Sequence, residues 1–191
     1  MVIWWPSEIP TLQYGRYTLR PTLDSDVAAI YEACQDPLIP RFTTVPVNYT
    51  MSHALDYFQR VPASIELQRE IPFVIEFGVG DEKVFAGVIS LHTISIDNHR
   101  AEIGYWMDEK MRGKGIATAA VKIMTGYGFD TLGFKRIEAA VDFENTASQK
   151  LLISAGYERE GVLRQRVTRA SGSQIDMVMF AALNQNWTRL N

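Results

Sequence analysis

Two glycines and two basic residues stand together in the stretch Arg112-Gly113-Lys114-Gly115-Ile116-Ala117-Thr118. Gly113 and Gly115 have no Cβ, so an anion can approach their main chain closely. If a helix begins here, its first N–H groups have no intrahelical partner, and with the positive end of the helix dipole they form a site for an anion such as phosphate. Arg112 and Lys114 add positive charge at the rim. The stretch therefore predicts a phosphate-binding turn, with an ordinary tight turn as the alternative.

Two familiar phosphate loops do not fit this spacing. A nucleoside-triphosphate loop requires Ser or Thr directly after Gly-Lys, but Gly115 follows Lys114. A dinucleotide-binding loop requires three glycines at its own spacing, but the residue two positions after Gly115 is Ala117. Both loop types are therefore excluded.

The turn lies between a segment typical of a strand and a segment typical of a helix. Upstream, residues 101–107 are short and apolar-rich, and the polar residues 108–110 follow them. Gly104 interrupts this strand, where glycine usually marks a bulge or a close backbone approach. Downstream, apolar residues recur on one helix face: Ile116, Ala120, Ile123, Met124 and Tyr127.

Hydrophobic periodicity predicts the remaining elements. The predicted strands cover residues 16–21, 71–77, 83–93, 137–141, and a final hairpin of 157–168 and 174–183 about Ala170-Ser171-Gly172-Ser173. The predicted helices begin at Asp24-Ser25-Asp26, at Thr50 and near Ala147. Pro37 and Pro40 should end the first helix, Pro62 should break or kink the second, and Gly156 should stop the third.

These elements follow one another as β-α-α-β-β-β-α-β-α-β-β. Strands joined by short turns give an antiparallel meander, whereas the strands on either side of the central helix should run parallel. We therefore expect an α+β fold with a mixed sheet. At 191 residues the chain can bury one core and is rather short for two domains.

Composition narrows the class of protein. Nineteen basic and 22 acidic residues give a net charge of −3, which argues against a nucleic-acid partner. The single cysteine, Cys34, cannot form an internal disulfide and is expected to pack inertly. No apolar run is long enough for a membrane span, and the apolar residues 1–6 lack the basic region of a secretory signal. These features predict a cytoplasmic protein.

Several motifs together resemble one family. The pattern Arg112-x-x-Gly115-x-Ala117 is similar to the acyl-coenzyme A pyrophosphate loop of the GNAT N-acetyltransferase superfamily. The flanking motifs resemble its ribosomal-protein N-acetyltransferase (RimJ/RimL-type) branch, and the likeness extends from Arg16 to Leu183. They are Glu102-Ile103-Gly104-Tyr105-Trp106-Met107, Glu144-Asn145-Thr146-Ala147-Ser148, Ala155-Gly156-Tyr157 and Glu160-Gly161.

The resemblance implies a fold and an activity. The fold is a mixed, mostly antiparallel central sheet flanked by helices, in a single acyl-CoA N-acyltransferase domain over residues 1–191 with a core of about 16–183. The co-substrate is acetyl-CoA and no metal is needed. The acceptor is a primary amine, either a protein N-terminus or a small molecule, and the family frequently forms homodimers. A different acyl-CoA, such as succinyl-CoA, is an alternative donor.

The resemblance also assigns roles to residues of the predicted turn and strand. Main-chain groups of Arg112, Gly113, Lys114, Gly115, Ile116, Ala117 and Thr118 would hold the diphosphate. The strand before the turn would bulge at Gly104 and separate from the next parallel strand, with steric relief under the central helix as the alternative. Main-chain groups of Tyr105, Trp106 and Met107 would hold the pantetheine arm and the thioester carbonyl, where a fixed N–H stabilises developing negative charge.

Asn145 and Ser148 are predicted to act on the thiol side of the reaction. Asn145 would orient the pantetheine amides, and Ser148 would donate a proton to the departing thiolate. A helix cap explains Asn145 equally directly. Relatives often use a tyrosine seven residues after this asparagine, but Leu152 occupies that position.

No general base stands out in the sequence. The glutamate that some relatives use falls on Val167, so Glu102 is the remaining candidate, with a structural role as the preferred interpretation. His92 is expected to pack within its strand, and the three histidines do not form a metal site. A site without a base favours an α-amine, since a group with a pKa near ~8 is about one-tenth neutral at pH 7. The missing tyrosine and glutamate also leave open an acyl-CoA-binding sensor without turnover.

Overall fold

The computed structural model describes residues 3–169 and 172–187. Within these residues the helices are α1 (Val27–Ala33), α2 (Leu38–Phe42), α3 (Met51–Glu66), α4 (Ile116–Tyr127) and α5 (Thr146–Ala155). The strands are β1 (Leu12–Tyr14), β2 (Tyr17–Arg20), β3 (Glu70–Phe77), β4 (Val84–Ser95), β5 (Arg100–Met107), β6 (Arg136–Asp142), β7 (Glu158–Thr168) and β8 (Gln174–Leu183). Ala170 and Ser171 of the predicted hairpin turn lie outside the described residues.

The strands form one sheet in the order β1-β2-β3-β4-β5-β6-β8-β7. Neighbouring strands pair antiparallel except β5 and β6, which pair in parallel across α4. The predicted α+β class, the antiparallel meander and the parallel pair are confirmed. The long crossover through α4 is what permits the parallel pairing.

Helices cover both faces of the sheet. Ile89 of β4 and Ile103 of β5 belong to the core cluster that contains Ile116 and Ala120 of α4. Because side chains alternate along a strand, Val88 and Trp106 point the other way, into the cluster formed with α1 and α3. We call these the α4 face and the α1/α3 face.

The N-terminal third departs from the predicted order in two places. A strand, β1, precedes the predicted first strand and pairs with it through a tight turn in which Gly15 has φ +58°. Pro37 and Pro40 do not simply end a helix: Pro37 is the N-cap of α2 and Pro40 lies in its first turn. Proline is tolerated there because the amide it lacks has no intrahelical acceptor.

Pro62 does not break α3, so the predicted break is wrong. The helix continues through Pro62 to Glu66. Packing sustains it, because Val61 and Ile65 contact the main core and the Trp5 indole donates to the Ile65 carbonyl at 2.7 Å. Tertiary contacts here outweigh the cost of one missing helical hydrogen bond.

Two smaller predictions are confirmed. Gly156 stops α5 with φ +100°, in the left-handed conformation expected of a helix-ending glycine. Cys34 is buried, and burial raises the pKa of its thiol to about 12, so the thiol packs as an inert apolar group.

Candidate functional site

The glycine-rich turn, residues 112–118, lies between the end of β5 and the first turn of α4, as predicted. Gly113 and Gly115 have φ values of +72° and +75°, and a Cβ built on either would meet no atom within 4 Å. Gly115 is the N-cap of α4. The amide of Ala119 donates a hydrogen bond to the carbonyl of Gly115 at 3.1 Å. The amides of residues 116–118 therefore precede the first intrahelical bond, next to the open space at Gly113 and Gly115. An exposed set of amides with no side chain in front of it fits a diphosphate.

Side chains of the turn divide between structural and exposed positions. Ile116 is buried in the core, so only its amide can meet a ligand. Lys114 is exposed and carries the free charge of the turn. Ala117 and Thr118 occupy the first turn of α4 and are partly exposed.

The Arg112 side chain is already engaged within the protein. Its Nε and Nη2 donate to the Met107 carbonyl at 3.2 and 2.8 Å, and its guanidinium forms an ion pair with Asp36. Asp36 follows α1, so Arg112 ties the turn both to the end of β5 and to the α1/α3 side of the sheet. This side chain shapes the turn, and a role in holding the diphosphate stays a prediction.

The parallel strands β5 and β6 separate beside this turn. They pair only at Arg100–Arg136, Ala101–Ile137 and Glu102–Glu138. From residue 103 onward, β5 keeps its β4 partner but has no strand on the β6 side. We call this opening the β5–β6 gap. It lies beside Tyr105, Trp106 and Met107, where the family resemblance implies the thioester.

The predicted bulge at Gly104 is wrong, and so is its predicted alternative. Gly104 pairs in regular register with Ser90 of β4. A Cβ at Gly104 would lie 2.7 Å from Nε2 of His92, on the α1/α3 face and away from α4. Glycine therefore leaves room for the imidazole in this position, a reason that only the folded arrangement reveals.

Ser148 and Tyr105 meet at the edge of the gap. The Tyr105 hydroxyl and the Ser148 hydroxyl lie 2.8 Å apart. Burial raises the pKa of Tyr105 to about 12, against the opposing effect of the Ser148 hydrogen bond, so the phenol remains protonated at neutral pH. Sequence reasoning gave Tyr105 a main-chain role and missed this contact.

Leu152, at the position where relatives carry the acidic tyrosine, is fully buried in the core. It therefore takes no part in the gap. The nearby phenol is instead supplied by β5, through Tyr105. No feature of the sequence links residues 105 and 148, since they are 43 positions apart.

Asn145 caps α5, as the structural interpretation predicts. Its Oδ1 accepts a hydrogen bond from the Ser148 amide at 3.1 Å. The side-chain Nδ2 remains available for a ligand carbonyl. Asn145 can therefore cap α5 with its Oδ1 and contact a ligand with its Nδ2 at the same time.

Asn145→Asp separates these two roles. The carboxylate keeps the capping oxygen and suits the helix dipole, so stability in a thermal melt should be unchanged or slightly higher. The lost amide donor should weaken acetyl-CoA binding by ~5-fold, on the order of 1 kcal/mol, in calorimetry. Asn145→Ala is the comparison variant and should lose about 1 kcal/mol of stability as well. Equal affinity for wild type and Asn145→Asp would leave Asn145 as a cap alone.

Glu102 lies at the last paired position before the gap and is partly exposed on the α1/α3 face. It makes no hydrogen bond or ion pair with the residues that the structure describes. The carboxylate is thus free to meet an acceptor. Its neighbour across the parallel pair, Glu138, is instead held by Arg100 and Arg136.

Within residues 3–169 and 172–187, no group of three or more His, Cys, Asp or Glu side chains is arranged to hold a metal ion. Over the same residues, no helix combines the length and apolarity needed to cross a bilayer.

A family model and individual relatives of this chain indicate the same protein family. The acetyltransferase (GNAT) domain matches residues 16–158. An uncharacterized N-acetyltransferase p20 of Bacillus licheniformis is 35% identical over 178 residues, which cover 93% of this chain and 98% of that protein. Spermidine N(1)-acetyltransferase of Escherichia coli K12 is 28% identical, with 76% of this chain and 74% of that protein covered.

Among solved structures, RimJ of Mycobacterium smegmatis in complex with CoA-disulfide superposes with a TM-score of 0.83. The two sequences are 25% identical, and the match covers 95% of this chain and 91% of RimJ. The fold is therefore similar to that of a RimJ structure that contains CoA-disulfide.

Proposed function

This chain belongs to the acetyltransferase (GNAT) family, in a RimJ/RimL-like branch, and from that membership we propose that it acetylates the N-terminal α-amine of a protein or peptide. It is an acyltransferase, and acetyl-CoA is its co-substrate. We also propose that the chain acts as one domain, because a single sheet runs through the described residues from Leu12 to Leu183.

Charge pairing beside the β5–β6 gap supports this acceptor. Three acidic residues along β6 and the turn after it are each neutralised by arginine: Glu138 by Arg100 and Arg136, Asp142 by Arg169, and Glu144 by Arg41. A polyamine requires several free carboxylates close together, whereas arginines occupy those of β6 and leave Glu102 of β5 without an ion-pair partner among the described residues. A further such carboxylate, Glu70, lies two strands away on β3. An acceptor with one positive charge at the gap fits this arrangement better.

The chemistry of the amine favours the same choice. An α-amine has a pKa near ~8, and about one-tenth of it is neutral at pH 7, whereas less than ~0.1% of a lysine side chain is neutral. The α-amine is thus the easier nucleophile to prepare. A small molecule carrying one amine of similar pKa is the second candidate acceptor.

We propose direct transfer between two bound substrates. The acceptor amine and the thioester of acetyl-CoA would meet in the β5–β6 gap. Their positioning would lower the barrier to direct attack, without a covalent enzyme intermediate. Main-chain N–H groups of β5 in the gap would stabilise negative charge on the thioester oxygen. Ser148, hydrogen-bonded to Tyr105, would supply the proton that the departing thiolate takes up.

The test is an acceptor panel with acetyl-CoA and with succinyl-CoA. It compares three acceptors. They are a peptide with a free N-terminus and an internal lysine, the same peptide formylated at its N-terminus, and spermidine. We expect CoA release chiefly with acetyl-CoA and the free peptide, and mass spectrometry should place the acetyl group on the α-amine. A higher kcat/KM for spermidine would overturn the acceptor class. CoA binding without turnover on any amine would point to a sensor.

A further inference from the structure

Strand β4 is distorted directly after His92. Its register against β5 is regular from Gly87 to His92 and then shifts before Ser95. Thr93 has φ +50°, which is rare for a β-branched residue. Bulges beside active sites commonly re-aim a side chain, and local strain of this kind persists where the surrounding structure imposes it. The residue this bulge orients is His92.

Both ring nitrogens of His92 have defined surroundings. Nδ1 lies 2.8 Å from the Thr93 hydroxyl. Nε2 has no hydrogen-bond partner among the described residues and lies over Gly104, 2.7 Å from the place a Cβ would occupy. When Nδ1 carries the proton and donates it to Thr93, Nε2 presents a lone pair.

This nitrogen lies beside the β5–β6 gap on the side away from the glycine-rich turn. Pairing with β6 ends at Glu102, and Gly104 is the next residue of β5 on the same face. That face is the α1/α3 face, whereas α4 and the amides at its start lie on the other. A thioester entering from the α4 side would therefore meet an amine arriving past His92.

Resting on the proposed function, we propose that His92 is the proton acceptor for the incoming amine. Nε2 of His92 takes a proton from the ammonium form of the amine, and the neutral nitrogen then bonds to the acyl carbon. The carbon–sulfur bond breaks, the thiolate takes a proton from Ser148, and Ser148 regains one from the second proton of the acylated nitrogen. The imidazolium then returns its proton to solvent, so protons and charge balance over the cycle.

Charged groups flank the imidazole on both neighbouring strands. Glu70 of β3 and Glu102 of β5 are its directly paired residues, so their side chains share its face. From α3, Tyr57 lies near Glu70: burial and then the Glu70 charge raise the pKa of that phenol, which stays neutral. Two carboxylates therefore lie on the same face as the ring that receives the proton.

The test compares wild type with His92→Gln on a peptide acceptor with a free α-amine. At pH 7 we expect kcat/KM for the peptide to fall ~100-fold, the usual scale of general-base catalysis. At pH ~9.5 the amine is already neutral in solution, so the loss should shrink to less than about 10-fold. Acetyl-CoA affinity should not change, because His92 lies on the α1/α3 face, away from the glycine-rich turn; thermal stability should change little, because Nε2 loses no hydrogen bond to a described residue.

Two further variants bracket this result. Thr93→Ala keeps the imidazole but removes its anchor, and it should cost ~10-fold at pH 7 even if His92→Gln fails to fold. His99→Gln makes the same substitution in the β4–β5 turn, at the end of β5 away from the gap, and should leave activity within about 2-fold.

Wild-type activity in His92→Gln at pH 7, or an equal loss at both pH values, would overturn the proposal. If His92→Gln does not fold, an unchanged kcat/KM in Thr93→Ala would overturn it. Absence of turnover in the wild type would instead overturn the proposed function, so the two failures are distinct.

Discussion

Gly115→Glu is expected to abolish acetyl-CoA binding while the protein remains folded. The new side chain would project into the open space before the amides of α4, and its carboxylate would repel a diphosphate. We expect a loss in affinity of at least ~100-fold, on the order of 3 kcal/mol, by isothermal calorimetry. The left-handed conformation at φ +75° makes any non-glycine residue costly, by about 1–2 kcal/mol.

Gly15→Glu is the matched control for this variant. Gly15 also has a left-handed φ, +58°, and a Cβ there would meet no atom within 4 Å. It lies in the β1–β2 turn, at the far edge of the sheet from the glycine-rich turn. Both variants should lose similar stability, but only Gly115→Glu should lose affinity. Unchanged affinity in Gly115→Glu would remove the diphosphate from this turn.

Ser148→Ala is expected to lower kcat ~100-fold with little change in acetyl-CoA affinity. The hydroxyl that protonates the leaving thiolate would be gone, whereas the main-chain contacts that hold the co-substrate would remain. Stopped-flow or steady-state CoA release measures kcat, and calorimetry measures the affinity. Ser154→Ala, on the exposed side of the same helix, is the matched control and should behave as wild type.

Tyr105→Phe completes this experiment. If the phenol and the Ser148 hydroxyl form one proton-donating unit, the double variant should be no slower than Ser148→Ala alone, since residues that act together are not additive. Wild-type kcat in Ser148→Ala would mean that the thiolate is protonated from another source. A kcat loss matched by an equal loss of acetyl-CoA affinity would instead indicate a binding role.

The proposed general base is the point at which the expectations from sequence and the arrangement in the structure differ most. Sequence reasoning considered Glu102 and expected His92 to pack. The ring of His92 does pack, over Gly104, but the bulge at Thr93 leaves its second nitrogen toward the gap. A bulge depends on how two strands pair, so no local pattern around His92 reveals it.

Much of the fold follows from local patterns. Period-two alternation predicts the central strands, and the helical spacing from Ile116 to Tyr127 predicts α4. Those rules work because one buried face imposes one period on each element. Where the period is absent, as in β1 and α2, the sequence does not predict the element. Pro62 shows the converse, since packing of Val61 and Ile65 maintains a helix that local rules would end.

Motifs in the sequence predicted the family and the acetyl-CoA co-substrate by resemblance. The glycine-rich turn was predictable as well, because its conformation depends on glycine spacing and on where a helix begins. Only the tertiary structure decided which side chains meet around the β5–β6 gap. Tyr105 and Ser148 are joined across 43 positions, and His92 reaches Gly104 from a neighbouring strand. Contacts of that kind depend on sheet register and on the separation of parallel strands, which arise from the packing of the whole chain.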